Sequence, residues 1–335
     1  MELRSEELKV EILHPGHGYE PVPTRLEMRW DPLTGQTSRV LPPSGLMPPQ
    51  RFDLATLAAE TEAQCPFCSG RIETAVPRFP PGILPDGRIR VGEAVLFPNL
   101  LPYSQYSSVS VYSPARHFLT LGQLTPRLVA DNVAAQVAFD DAVVAADPAA
   151  CWVSINANHM LPSGSSIFHP HFQGGAHPFP TNQQRLLADV PGSQYADYLA
   201  TERRLGHRWL GEVGGVTWLA AFAPLGPGDI RAFVPGVAFP GDLAAEQIEA
   251  LGTGISRALG LYAELGFESF NMAIYGAPPS RADDGYMLNL RLVCRSNLEP
   301  FYRSEVAWLD RVHGEPAVDL APEDLADHAG ARFQG

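Results

Sequence analysis

Two clusters of residues have a spacing that chemistry can use. Cys65-Pro66-Phe67-Cys68, followed by Ser69-Gly70, sets two thiols on a tight turn from which both can reach one metal ion. A lone CxxC pair also suits thiol–disulfide exchange, but that chemistry wants a strand-to-helix junction. The flanks, residues 60–64 before and Ser69-Gly70-Arg71 after, fit a metal-binding knuckle better. The second cluster is Gly164-Ser165-Ser166-Ile167-Phe168-His169-Pro170-His171-Phe172-Gln173. In an extended chain, residues two apart face the same side, so His169, His171 and Gln173 share a face. The small residues ahead of them leave backbone N–H groups open to an anion. Taken alone, such a histidine pair also fits a shared polar patch. Cys151 and Cys294 fall in apolar, strand-like runs and read as core.

Composition narrows what these residues can do. The chain has 335 residues, 45% apolar and 18% charged, enough to bury a sizeable core. Lys9 is its sole lysine. A P-loop and a pyridoxal phosphate site each need a lysine in the body of the chain, so both are excluded. Phosphate chemistry falls to Arg, His, backbone N–H groups or a metal. A net charge of -13 argues against nucleic acid as a partner. No apolar run reaches the length of a membrane span, and residues 1–10 are charged and lack an apolar signal core. Four cysteines in a chain of this length make no secreted disulfide framework. The expectation is a soluble, cytoplasmic protein. Many of its 32 prolines sit in stretches such as 41–50 and 77–85, which read as loops.

The elements that position these residues follow a repeating order. Residues 94–99 and 107–112 read as strands, Thr125-Pro126 as the cap and first residue of a helix to about 146, and 151–156 and 167–173 as strands. A linking helix is expected over 193–213, ending at Gly214-Gly215. The order then recurs: strands 216–222 and 230–234, a helix capped by Asp242 and ending at Gly266, and strands 269–275 and 286–293. Strand, strand, helix, strand, strand, twice over, predicts an α+β tandem repeat of antiparallel sheets with packed helices. The expected division is 1–190, carrying both motifs, and 191–335. The second copy lacks the HxH: Met287 and Asn289 stand where it would fall.

The CPxC motif, the segment Ser113-Pro114-Ala115-Arg116-His117-Phe118-Leu119-Thr120-Leu121 and the HPHxQ motif occur in this order, and together they resemble the galactose-1-phosphate uridylyltransferase family of the histidine-triad superfamily. The resemblance implies a structural zinc held by Cys65, Cys68, His117 and His169. It implies His171 as nucleophile, Gln173 as a hydrogen-bond partner of the transferred phosphoryl group, and Gly164, Ser165 and Ser166 as a loop on phosphate oxygens. Asn158 matches an asparagine near the diphosphate, with Asn156 in its place if the loop slips. Phe97 and Asn99 match a strand that holds base and ribose. There are departures. Leu100 and Phe168 stand where the family often has other residues, and Met287 and Asn289 imply that no second iron site exists. Arg303, in Phe301-Tyr302-Arg303-Ser304-Glu305, is a candidate phosphate ligand, with a plain surface loop as the alternative.

The implied activity moves a nucleoside monophosphate from a nucleotide sugar, or a nucleoside triphosphate, to a sugar-1-phosphate-like acceptor through a covalent histidine–nucleotide. An ADP-sugar or dinucleotide phosphorylase or hydrolase, and a nucleotide-binding protein without catalysis, are the alternatives. The implied partners are a nucleotide sugar, a phosphorylated acceptor and a second copy of the chain as a homodimer. His159 and His177 read as polar loop residues, and Trp209 and Trp218 as core.

Overall fold

The structure is a computed structural model and describes residues 1–42, 53–299 and 303–334. Most of the proline-rich stretch 41–50 lies outside these residues, as do Phe301 and Tyr302. The chain opens with β1 (Ser5–His14) paired antiparallel to β2 (Glu20–Trp30), whose far end pairs with β3 (Thr37–Val40). Helices α1 (Leu54–Glu62) and α2 (Ile72–Ala75) flank the CxxC turn. The first set of sheet strands is β4 (Ile89–Val91), β5 (Ala94–Pro98), β6 (Tyr106–Val111), β7 (Trp152–His159) and β8 (His171–His177), with α3 (Pro126–Ala146) after β6. Thr125 caps α3, its hydroxyl accepting from the Leu128 N–H at 3.4 Å, and Pro126 fills the first turn where no donor is needed.

Helices α4 (Asn182–Ala188) and α5 (Gly192–Leu205) link to the second set: β9 (Trp209–Val213), β10 (Val216–Ala220), β11 (Ile230–Val234), α6 (Ala245–Glu264), β12 (Ser269–Tyr275) and β13 (Leu288–Arg295). The short β14 (Ala317–Val318) joins β3, and α7 (Pro322–Ala329) follows. Among the described residues no helix is long and apolar enough to cross a membrane.

The linking helix is shorter than expected. Gly206 takes a left-handed conformation (φ 77°) and ends α5, so Trp209 lies on a strand, partly exposed beneath Arg203. Trp218 is fully buried. Asp242 does not cap α6. It lies in a 3-10 turn, and the helix begins after Ala244, whose N–H donates to Gln247 Oε1. The strand carrying the histidines begins at His171, not Ile167: Pro170 has no N–H to give a ladder, and the chain before it turns toward the cysteines. Cys294 is buried, whereas Cys151 sits before β7 and is partly exposed.

Among the described residues, ten strands form one antiparallel sheet in the order β4-β5-β6-β8-β7-β12-β13-β11-β10-β9. Both sets share the element order, and they meet where β7 pairs with β12, Asn156 opposite Ala273 and Asn158 opposite Asn271. Alternation decides which side chains face which way. Val153, Ile155, Phe172, Phe270, Met272, Ile274, Leu288, Leu290 and Leu292 are buried on the side covered by α3 and α6. Ser154, Asn156, Asn158, His171, Gln173, Asn271, Ala273 and Tyr275 fall on the other side and are only partly buried.

That second face is covered at its two ends. At one end the CxxC turn packs Phe67 against Val95, Phe97, Val109 and Val111. At the other, α4, α5 and Leu33 cover Leu219 and Phe233. On β13, Asn289 and Arg291 occupy the face that His171 and Gln173 occupy on β8, and Arg291 is buried in an ion cluster. Asp31 Oδ2 accepts from Arg291 at 2.7 Å and from Arg231 at 3.1 Å, and its Oδ1 accepts from the N–H groups of Leu33 and Thr34.

Burial pushes Asp31 toward its neutral form, but the two guanidiniums and two N–H bonds outweigh burial and hold its pKa below the ordinary value. The stabilisation is therefore complete above a pH of about 4 and is lost as pH falls through the lowered folded value. Asp31→Ala leaves two buried arginines short of a partner and should destabilise the fold by about 3–5 kcal/mol. Urea unfolding at pH 7 measures the loss, and repeating it toward pH 3 should show a shallower acid decline in the variant.

Candidate functional site

The CxxC turn is built from local backbone bonds. Cys65 N–H donates to Glu62 O at the end of α1, Arg71 and Ile72 N–H donate to Cys68 O, and Ser69 N–H donates across to Pro114 O at 2.9 Å. That last bond draws the turn to the segment carrying His117. Cys68 Sγ lies 3.4 Å from His117 Nδ1 and 3.6 Å from His169 Nδ1, and Cys65 Sγ lies 3.6 Å from His169 Nδ1. The four ligand atoms all fall within 4.8 Å of one another.

The ring tautomers are set by what the outer nitrogens touch. His117 Nε2 is 3.0 Å from Ala58 O, and His169 Nε2 is 3.0 Å from Ser113 O. A carbonyl only accepts, so each Nε2 carries the proton and each Nδ1 turns a lone pair toward the sulfurs. Thr61 Oγ1, 3.0 Å from His117 Nε2, supports the same arrangement. Burial and the neighbouring Cys65 push the Cys68 thiol up to about 12. Burial drives His169 down to about 3, so its ring is neutral.

This donor set fits a tetrahedral divalent ion. Bonds of about 2.3 Å to sulfur and about 2.05 Å to nitrogen imply sulfur–nitrogen edges of roughly 3.6 Å. The chain therefore has a Cys2His2 group able to bind a metal ion.

His171 sits beside this group on the partly open face. Its Nδ1 lies 2.9 Å from His169 O and carries the proton, leaving Nε2 with a lone pair. Burial lowers its pKa, against the opposing pull of that carbonyl, so the ring is neutral at pH 7. Phe67 meets both rings edge-on, at 5.9 Å from His169 and 5.5 Å from His171. The two histidines thus face one side, as their spacing implies. Gln173 pairs with Asn156 and Phe172 with Ala157, the last rungs between β7 and β8, and Asn158 and His171 are the next residues along the two strands. Asn156 Nδ2 donates to Ser154 Oγ at 3.0 Å and Gln173 O at 3.2 Å, so its donors are spent within the sheet. Asn158 uses its Oδ1 instead, accepting from Asn271 at 2.6 Å.

Gly164 is left-handed (φ 97°) and closes a short turn, Ser165 Oγ donates to Ile167 O at 2.7 Å, and Ser166 is exposed. Asn99 Oδ1 accepts from Leu101 N–H at 3.1 Å, and its buried Nδ2 has no partner among the described residues.

Other expected residues stand apart. Phe97 is buried against Phe67 at 5.2 Å, so its ring supports the CxxC turn and offers no open face. Arg303 is exposed and forms no ion pair among the described residues, whereas Glu305 pairs with Arg295. His159 is no loop residue: it ends β7, buried and stacked on Phe270 at 5.2 Å. His177 ends β8 and stacks on Phe179. Asn271 and Arg295 were not visible as site residues in the sequence. The pairing of β7 with β12 brings Asn271 to Asn158, and the pairing of β12 with β13 brings Arg295 to Asn271.

The chain matches no family model. Its fold is that of uridylyltransferases and their relatives. An ADP-glucose phosphorylase from Arabidopsis thaliana, solved with bound ADP-glucose, superposes with a TM-score of 0.68 at 18% identity, covering 92% of this chain and 99% of that one. A uridylyltransferase superposes at 0.65 with 18% identity, covering 92% and 98%. The resemblance read from the motifs is borne out at the level of fold. The chain belongs to one family with an uncharacterized protein of Archaeoglobus fulgidus, 31% identical over 339 residues and covering 97% of each chain.

The metal group makes two predictions. Cys68→Ser should strip bound metal from the purified protein, as read by elemental analysis. Metal added back to the apoprotein at pH 7 should release protons, because the raised Cys68 thiol is protonated there and must ionise to bind.

Proposed function

We propose that the chain is a nucleotidyltransferase that works through a covalent nucleotide on His171. The observation that carries this reading is the His171 tautomer: Nδ1–H is fixed on His169 O, which leaves the basic Nε2 for the partly open face that His171 shares with Asn158. The fold it shares with a protein holding ADP-glucose supports a nucleoside diphosphate sugar as the donor class. His171 Nε2 attacks the α-phosphorus, a nitrogen–phosphorus bond forms, and the bond to the bridging oxygen breaks. The electron pair leaves on the sugar phosphate. The growing positive charge on the ring is stabilised through Nδ1–H by the His169 carbonyl. The amides of Asn158 and Gln173 and the backbone of Gly164, Ser165 and Ser166 supply donors to the phosphoryl oxygens. An acceptor phosphate oxygen then attacks the same phosphorus, and imidazole departs with its lone pair restored. Inorganic phosphate, as in a phosphorylase, and a sugar phosphate are the two acceptors to test.

The ion at Cys65, Cys68, His117 and His169 is proposed to be zinc. When bound it closes a redox-inert structural site and clamps the CxxC turn to the strand of His171.

A homodimer is also proposed. Beyond the pairing of β2 with β3, residues 8–14 and 20–26 form a ribbon of two strands with Leu8, Val10, Ile12 and Leu13 exposed. A bare ribbon of two strands is marginal in water, and a second copy is the partner proposed to cover it. Light scattering should give twice the chain mass, and a paired Ile12→Glu, Leu13→Glu change should halve it.

His171→Ala tests the central reading. It should stay folded, keep its metal and still bind donor, while nucleotide-adduct formation falls by about 10⁴-fold or more. Intact mass after incubation with nucleotide sugars reads the adduct. A variant that still gains the nucleotide would remove His171 from this role.

A further inference from the structure

A side chain from the second half of the molecule decides which end of the Asn158 amide faces His171. Arg295 Nη1 donates to Asn271 Oδ1 at 2.6 Å. A guanidinium has no acceptor, so the Asn271 atom it meets is the oxygen. The Nδ2 of Asn271 then donates to Asn158 Oδ1 at 2.6 Å, Ser163 O at 3.0 Å and Ala157 O at 3.3 Å. One guanidinium and two carbonyls leave this amide a single orientation. Arg295 is itself held by the Glu305 carboxylate, which also accepts from Ser296 N–H at 2.9 Å.

With its oxygen engaged by Asn271, Asn158 has only its N–H2 end left for the site. Phosphoryl oxygens accept and never donate, so this is the end a nucleotide needs. The bond to Ser163 O also anchors the start of the turn leading to Gly164, Ser165 and Ser166. We propose that Asn271 is a positioning residue for nucleotidyl transfer, holding Asn158 donor-first beside His171, with Arg295 fixing Asn271 in turn. This rests on the reading of His171 given above.

Asn271→Asp keeps an acceptor for Arg295 and removes the donor to Asn158. The carboxylate only accepts, so Asn158 turns its N–H2 toward it and presents its own oxygen to the phosphate. Asn271→Ala removes the donor without adding charge. The experiment measures single-turnover adduct formation on His171 and donor affinity, with ADP-glucose and UDP-glucose as probes. It compares wild type, both Asn271 variants, Asn158→Ala and the double variants. Asn271→Asp and Asn158→Ala should each slow adduct formation by about 100-fold. Asn271→Ala should slow it less, and metal content and melting temperature should stay near wild type. In the Asn158→Ala background, changing Asn271 should add little, because its effect passes through Asn158. An Asn271 change that leaves the rate untouched, or multiplies fully with Asn158→Ala, overturns the proposal. If wild type binds a donor but forms no adduct, the His171 reading fails. The positioning role then stands or falls on donor affinity, which Asn271→Asp must weaken only when Asn158 is present. If neither donor binds wild type, both readings fall.

Discussion

His169 bonds in three directions, and the arrangement around it depends on all three. Its Nε2–H is fixed on Ser113 O, its Nδ1 faces Cys65 and Cys68, and its own carbonyl accepts from His171 Nδ1. The metal-binding group and the ring of His171 are therefore one hydrogen-bonded unit. A shift of the CxxC turn would move the carbonyl that sets the His171 tautomer. Pro170, between the two histidines, has no N–H, so the ladder starts at His171 and the preceding residue is free to leave the sheet.

The two halves answer the same geometric problem differently. On β8 the face away from α3 and α6 carries His171 and Gln173 and stays partly open. On β13 the same face carries Asn289 and Arg291, and Asp31 from the N-terminal strands fills the space over it through Arg231 and Arg291. Both oxygens of that carboxylate accept two hydrogen bonds each, which is how a buried charge is tolerated. That face is thus filled in the second half and partly open in the first.

Legibility in the sequence followed the reach of each interaction. The bounds of α3 and of strand 269–275 are set by local signals, Thr125-Pro126 and a period of two, and were readable. The metal quartet was readable because its motifs are short and ordered. The N-terminal ribbon was not: Leu8, Val10 and Ile12 do alternate with charged residues, but no core covers either face of β1, so nothing beyond the ribbon fixes the strand. The helix expected over 193–213 ran too far because Gly206 breaks it one turn before an apolar strand that continues its polarity. Phe97 matches a strand that holds base and ribose, and only the packing of Phe67 against it shows that its own ring is buried. The tie from Arg295 through Asn271 to Asn158 crosses from one half to the other and has no local signature at all.

The seam between β7 and β12 carries a consequence for any half taken alone. Six residue pairs, from Phe270 opposite His159 to Tyr275 opposite Ser154, close the sheet there. Cut apart, each half would show a bare edge with a full row of unpaired N–H and C=O groups and an apolar flank. The nearest partner of matching shape for such an edge is another copy of the same half. In this chain that pairing is intramolecular, so no symmetry ties the two faces together and a change in one need not appear in the other.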